Sequence, residues 1–392
     1  MCRTTRRIGI LASLALLLSA AAIWADWPQW RGPNRDAKVP GFLAPKTWPK
    51  TLTQKWTTMV GSGVSSPDLV GDKLYIFGRI EGDEATTCLD ASTGKMIWQD
   101  KYPTAAVGGP AQGYGGPRGT PAIIGGKVYT VGVNGMVSCL DTVTGKVVWR
   151  KDTKEAPQFK TSTSPLVADG KCIVFLGALT AFDAATGEEK WKGPSGTPYG
   201  SPALMTVDGA EQVVTPTTNS LAGVSLADGK VLWQVKLPGG GYNVNYGTPI
   251  IDGHTIIYDA PARGGRGTSM ALNIEKTGDG FKATELWKST AAYQYNTPVL
   301  KDGLLFGLSP EKTFFCMDAK SGKGKGGGGK GGFGGEVAAG DAELIVFEPS
   351  SAGFKEIAKY KLSPGSGLAY PILAGNRVYV KGNRELTLWG ID

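Results

Sequence analysis

Histidine is nearly absent: His254 is the single copy in 392 residues. Zinc sites, serine-type triads and Cys–His nucleophile pairs all use imidazole at defined spacing, so none of them has its residues here. His254 lies in Asp252-Gly253-His254-Thr255, which reads as a solvated turn. Cysteine is sparse too, with Cys2, Cys88, Cys139, Cys172 and Cys316 and no adjacent pair. Charged residues make up 19%, and no acidic cluster offers the several hard oxygens that Ca²⁺ requires. No long stretch repeats with a period of 3.6, and beyond residue 25 no apolar run is long enough to cross a membrane. Gly239-Gly240-Gly241 and Gly264-Gly265 precede no helix, so they form no phosphate-binding fingerprint.

The start of the chain is different. Arg3, Arg6 and Arg7 lead into an apolar stretch from Ile8 to Ile23, and Ile23-Trp24-Ala25 offers a small residue for cleavage. Residues 1–25 are therefore expected to be a signal peptide, too short for a comfortable membrane span, with delivery to the periplasm or the outside. Arg6-Arg7 raises twin-arginine export, although Gly9 stands where that signal wants an apolar residue, and the route stays open. Removing the three arginines reduces the formal charge from +8 to about +5, too mild to argue for nucleic acid.

What the chain has in abundance is glycine, 58 residues, and a repeat. Leu89-Asp90-Ala91-Ser92-Thr93-Gly94-Lys95 returns as Leu140-Asp141-Thr142-Val143-Thr144-Gly145-Lys146, as Phe182-Asp183-Ala184-Ala185-Thr186-Gly187, and as Ser225-Leu226-Ala227-Asp228-Gly229-Lys230. Trp56, Trp98, Trp149, Trp191 and Trp233 follow at intervals of 42, 51, 42 and 42 residues. That is the period of a four-stranded propeller blade. A small or polar residue before proline opens each unit: Ser66-Pro67, Thr120-Pro121, Ser164-Pro165, Ser201-Pro202, Thr248-Pro249, Thr297-Pro298 and Tyr370-Pro371. Proline is tolerated where a strand begins, aspartate can satisfy turn amides, and tryptophan brings a large apolar face to pack between blades. Asp90, Asp141, Asp183 and Asp318 are accordingly read as turn residues. Cys88, Cys139 and Cys316 share one repeat position, which places them in separate blades beyond disulfide reach.

These phrases resemble the PQQ-type repeat of quinoprotein dehydrogenases and of the outer-membrane assembly lipoprotein built on the same architecture. The resemblance implies an all-β propeller, with 26–50 as a lead-in segment and 51–392 as one propeller domain. Asp26-Trp27-Pro28-Gln29-Trp30-Arg31-Gly32-Pro33-Asn34 is similar to the mature start of many secreted proteins with this repeat. It reads as an ordered lead-in that packs its aromatics on the ring.

Seven or eight four-stranded blades are expected, one of them incomplete. Seven proline openings stand against eight third-strand markers, at Asp90, Asp141, Asp183, Ser225, Asn273, Asp318, Glu348 and Asp392, and the interval from 318 to 348 is too short for a blade. A Gly/Lys-rich insertion, 322–340, falls there. Within it, Gly322 to Gly335 holds ten glycines, three lysines and Phe333, a composition that cannot bury enough apolar surface to order itself. One reading has it replacing the fourth strand of one blade and the inner strands of the next; the other has it as a rim insertion in a seven-bladed ring. Gln54-Lys55-Trp56-Thr57 is expected to pair with the C-terminal strands, because closure removes exposed edges.

Loops leading into the first strands, and loops between second and third strands, share one face of such a ring. They carry Tyr114, Arg118, Tyr199, Tyr242, Asn243, Asn245, Tyr246, Arg263, Arg266, Tyr293, Tyr295, Asn296 and Tyr370, residue types favoured at recognition surfaces. A partner-binding face is one reading; filling of the channel mouth is the other. The resemblance also brings in the dehydrogenases' equipment, adjacent cysteines beside the quinone and Glu, Asn and Asp ligands for Ca²⁺, which this sequence does not carry. A monomeric, non-catalytic binding or scaffold protein for a protein, peptide or small ligand is therefore expected, without a cofactor; a PQQ-dependent oxidoreductase and an envelope assembly scaffold are the alternatives.

Overall fold

The first repeat shows how this sequence becomes a blade. Pro67 precedes a three-residue strand, Asp68–Val70, and Gly71 turns the chain at a φ of 59° into Lys73–Ile80. Asp83–Asp90 and Met96–Pro103 complete an antiparallel sheet in sequence order. In the computed structural model, which describes residues 26–238, 245–260, 267–290, 297–308, 313–330, 341–352, 355–364 and 369–392, the same order recurs. It spans residues 122–152, 166–195, 203–236, 250–289 and 299–330. The last blade is composite: Ile372–Ala374, Arg377–Lys381 and Glu385–Gly390 are joined on the outside by Thr53–Met59. Seven four-stranded blades thus form a propeller closed between its two chain ends, with Trp56 opposite Leu388 in the closing register.

The aspartate–glycine turn and the tryptophan form one device. Asp141 Oδ1 accepts the amides of Val143 and Thr144, and Asp90, Asp183 and Asp318 repeat this. Trp98, Trp149, Trp191 and Trp287 each lie on the turn glycine of the following blade, whereas the Trp233 indole donates to Gln212 of its own blade: a Cβ on Gly187 would stand 2.6 Å from the Trp149 ring, and one on Gly145 2.6 Å from Trp98. The indole Nε1 then donates across the same seam, from Trp98 to the Thr142 carbonyl and from Trp149 to that of Ala184, both at 2.9 Å. Glycine is needed at these turns for positive φ and also because a side chain would occupy the neighbouring indole's place. Trp56 lies on Gly94 in this way, so the closing strand carries the lock across the junction.

The low-complexity tract follows a course that its composition conceals. Gly322 is the turn glycine of the sixth blade, resting under Trp287, and Gly324–Lys330 is that blade's outer strand. The tract therefore supplies the fourth strand, which one of the two readings had it replacing, because an edge strand needs only backbone for its ladder. Residues 331–340 of the insertion and the signal segment 1–25 lie outside the described residues. The eighth third strand is Asp341–Glu348, paired among the described residues with Lys355–Pro364 alone. This two-stranded unit stands between the sixth and last blades: Ile345 packs with Leu308 and Phe314, while Leu344 and Tyr360 pack with Val378 and Val380.

Candidate functional site

The residues before the seven prolines form a closed belt around the channel. The Ser66 amide donates to Thr120 Oγ1, Thr120 to Ser164 Oγ, and Ser164 to Ser201 Oγ, at 3.1, 2.9 and 2.9 Å. Ser201 then donates to Thr248, and Thr248 to Thr297. Where the two-stranded unit interrupts the ring, the next acceptor is the phenol of Tyr370, 3.4 Å from the Thr297 amide, and the Tyr370 amide returns to Ser66 Oγ at 2.9 Å. Tyrosine replaces the Ser/Thr hydroxyl where, among the described residues, no inner strand stands between neighbours, and its longer side chain reaches across.

Inside the belt the channel is filled by the chain itself. Trp27 bridges to Leu69 and Gln29 to Ala122, on the innermost strands of the first two blades. Trp30 donates to Thr248 Oγ1 and meets the Tyr370 ring edge-on, with centroids 4.9 Å apart. Arg31 donates to the carbonyls of Thr297 and Pro298, and Arg35 to that of Pro165. Residues 27–35 thus touch six of the seven blades. Burial lowers the Arg31 guanidinium, and burial together with the nearby Arg31 charge lowers Arg35 to about 9. Asp68, fully buried, faces this pair; burial holds its carboxyl well above the usual range, opposed by Arg35. Neither Asp68 oxygen has a hydrogen-bond partner among the described residues, and Arg35 Nε and Nη2, shut off from solvent, have none either, an arrangement suited to bridging water.

Several candidates for the recognition face turn their polar ends inward. Arg118 donates to the Phe159 carbonyl, the Phe159 amide donates to the Tyr199 hydroxyl, and the Tyr199 amide donates to the Asn245 carbonyl. Asn245 Nδ2 donates to Thr217 and Thr218. These ties join the second to the fifth blade, loop to loop. Tyr246 is half-buried beside them, and Tyr114 ends a short 3-10 helix, Gly109–Tyr114. Tyr242, Asn243, Arg263, Arg266, Tyr293, Tyr295 and Asn296 lie outside the described residues. His254 sits exposed in its turn, and its carbonyl accepts the Ile274 amide.

A second feature has no counterpart in the predicted site. Between the sixth blade, the two-stranded unit and the last blade lies a cavity of about 450 Å³, within the ~300–1,000 Å³ range of ligand pockets. Its walls are Val299 and Phe306 on one side and Leu373 and Val378 on the other, with Phe42 and Trp48 of the lead-in across one end. Leu344, Ile345, Val346 and Phe347 line it consecutively.

The family model described as outer membrane protein assembly factor BamB matches residues 82–325, more than half of the chain. The chain belongs to this BamB-like family. The outer membrane protein assembly factor BamB of Burkholderia pseudomallei is 32% identical over 148 residues, covering 36% of this chain and 33% of the relative. The quinohemoprotein alcohol dehydrogenase ADH IIB of Pseudomonas putida is 29% identical over 130 residues, 30% of this chain and 19% of the relative. The matched stretches thus span a third or less of these relatives' own lengths. Among solved structures, BamB from Moraxella catarrhalis superimposes with a TM-score of 0.62 at 15% identity, over 87% of this chain and all of the other. The quinohemoprotein alcohol dehydrogenase of Comamonas testosteroni gives 0.58 at 15% identity, over 94% and 80%. Identities this low establish a shared propeller and nothing about chemistry.

Quinoproteins among the family's relatives make the donor set worth testing. The turn aspartates are committed to their own amides, and among the described residues no three His, Cys, Asp or Glu side chains gather to hold a metal. Cys88, Cys139, Cys172 and Cys316 are buried in four different blades, none in a disulfide, and burial lifts Cys88 to about 12 and Cys139 to about 11. Those thiols stay protonated at neutral pH and do not line the channel. The described residues do not fit a quinone with its calcium. Sequence reasoning missed the belt and the buried Arg31, Arg35 and Asp68; the signal for the belt was present in the hydroxyl before six of the seven prolines.

Proposed function

We propose that this chain is an exported, non-catalytic propeller that binds or scaffolds a protein or peptide. The observation carrying this reading is the filled channel: Trp30, Arg31 and Arg35 occupy the space at the centre of the ring and bond to its innermost strands. A planar cofactor on the axis would have to displace two guanidinium groups from their carbonyl partners. Export rests on residues 1–25, and among the described residues no helix is long and apolar enough to cross a membrane. The match to an assembly factor supports a scaffold role in the envelope. Titration of the purified protein with PQQ and Ca²⁺, followed by absorbance and dye reduction, tests the reading. No binding at high micromolar quinone is expected; saturable binding with dye reduction would overturn it.

A further inference from the structure

The cavity beside the two-stranded unit lies along the edge of a strand. Successive residues of a strand point to opposite faces, so a pocket facing one side of Asp341–Glu348 could touch only alternate residues. Four consecutive residues, Leu344 to Phe347, line it. Only a space at the strand's edge meets both sets of side chains. Along that edge Asp341–Glu348 has no partner strand among the described residues, its single neighbour being Lys355–Pro364 on the other side. In each complete blade this place is held by the second strand.

Those second strands define what fits. Lys127–Val131, Lys171–Phe175 and Arg377–Lys381 are each buried at every position after the first. Both faces are covered because neighbouring blades pack on each side, so the strand is apolar without alternation. The walls of the cavity are the corresponding blade faces: Phe306 of the sixth blade and Val378 of the last. The space therefore combines a strand edge with an apolar slot on both sides. Backbone amides and carbonyls need partners wherever they are shut from water, a need that a featureless hydrocarbon ligand would leave unmet.

We propose that this slot accepts an extended apolar segment of another polypeptide, which adds as a strand along the open edge beside Asp341–Glu348 and buries side chains on both faces. The proposal names the partner class for the binding reading above, and its test is separate from the quinone titration: failure here would leave the non-catalytic reading standing.

The test uses the full chain and a peptide copied from its own last blade, acetyl-Arg-Val-Tyr-Val-Lys-amide (residues 377–381), with binding read by calorimetry and by tryptophan fluorescence. Saturable binding is expected. N-methylation of the three central residues keeps the side chains and removes the amides, and should weaken binding at least tenfold. Val346→Lys, at a half-buried position on the open edge, should weaken it at least tenfold while circular dichroism and melting temperature stay near the parent values. Should Val346→Lys unfold the protein, the N-methylated peptide alone carries the test. Equal binding of the N-methylated peptide would overturn strand addition, as would binding of laurate without binding of the peptide, or no binding of either.

Discussion

Tyr370 offers a severe test of how the ring closes over its incomplete unit. Its phenol takes the place that Ser or Thr hydroxyls hold in the other six blades, accepting the Thr297 amide, and its ring packs edge-on against Trp30. Tyr370→Phe removes the hydroxyl alone, which accepts the Thr297 amide and also bears on the Arg31 guanidinium. Thr297 is 8% exposed, and leaving its amide unpaired should cost about 1 kcal/mol, the low end for a buried group because the bond is long. Tyr370→Ser restores the residue type of the repeat but cannot reach, so it loses the same bond, the aromatic contact worth about 0.5–1.5 kcal/mol, and the ring's packing. Large-to-small changes of this kind cost about 3–5 kcal/mol when buried, and Tyr370 is half-buried, so about 3 kcal/mol is expected. With an unfolding entropy of about 0.8 kcal/mol/K for a chain of this length, melting should fall by about 1 °C for Phe and about 4 °C for Ser. Scanning calorimetry with tryptophan fluorescence measures both. A Tyr370→Ser variant as stable as the parent would refute the reasoning, since reach would then not matter.

Gly187 and Gly170 separate backbone strain from packing, both having positive φ in the third blade. Gly170→Ala meets nothing within 4 Å and should cost about 1 kcal/mol by urea denaturation, whereas Gly187→Ala must also displace Trp149 and should cost at least about 3 kcal/mol; equal costs would remove the lock. Lys381, fully buried and donating to the Gly63 carbonyl, is lowered by burial from 10.5 to about 8. Between those values the unfolded chain binds more protons than the folded one, so this group's contribution to stability rises with pH from about 8 to about 10.5, by about 3 kcal/mol in all. Lys381→Met should flatten that part of the stability curve, and an unchanged slope in denaturation at several pH values would count against it. Cys88, Cys139 and Cys172 are buried thiols raised by desolvation, so a disulfide reagent at pH 8 should label them only after denaturant is added; rapid native labelling would place them on the surface.

The repeat was legible because each of its parts is local. A proline, a glycine turn, an aspartate and a tryptophan at a spacing of about 42 residues specify a blade wherever they occur, and seven of one marker against eight of another pointed to an incomplete unit. The closing strand followed from the same logic, since Gln54-Lys55-Trp56-Thr57 had to find an edge, and it pairs with Glu385–Gly390. Composition misled where a strand needed nothing from its side chains, as in Gly324–Lys330. Arg118, Tyr199, Asn245 and Tyr370 showed the residue types of a recognition face, yet each bonds to a loop carbonyl, amide or hydroxyl of another blade. The sequence alone thus settled what each blade is and that the ring must close. The tertiary structure decided what stands at the centre and how the two-stranded unit sits between the sixth and last blades, because a side chain's partner there lies one or more blades away and is set by closure of the whole ring. The same local pattern serves a filled channel and an open one, and only the assembled ring places Arg31 against Thr297, 266 residues away.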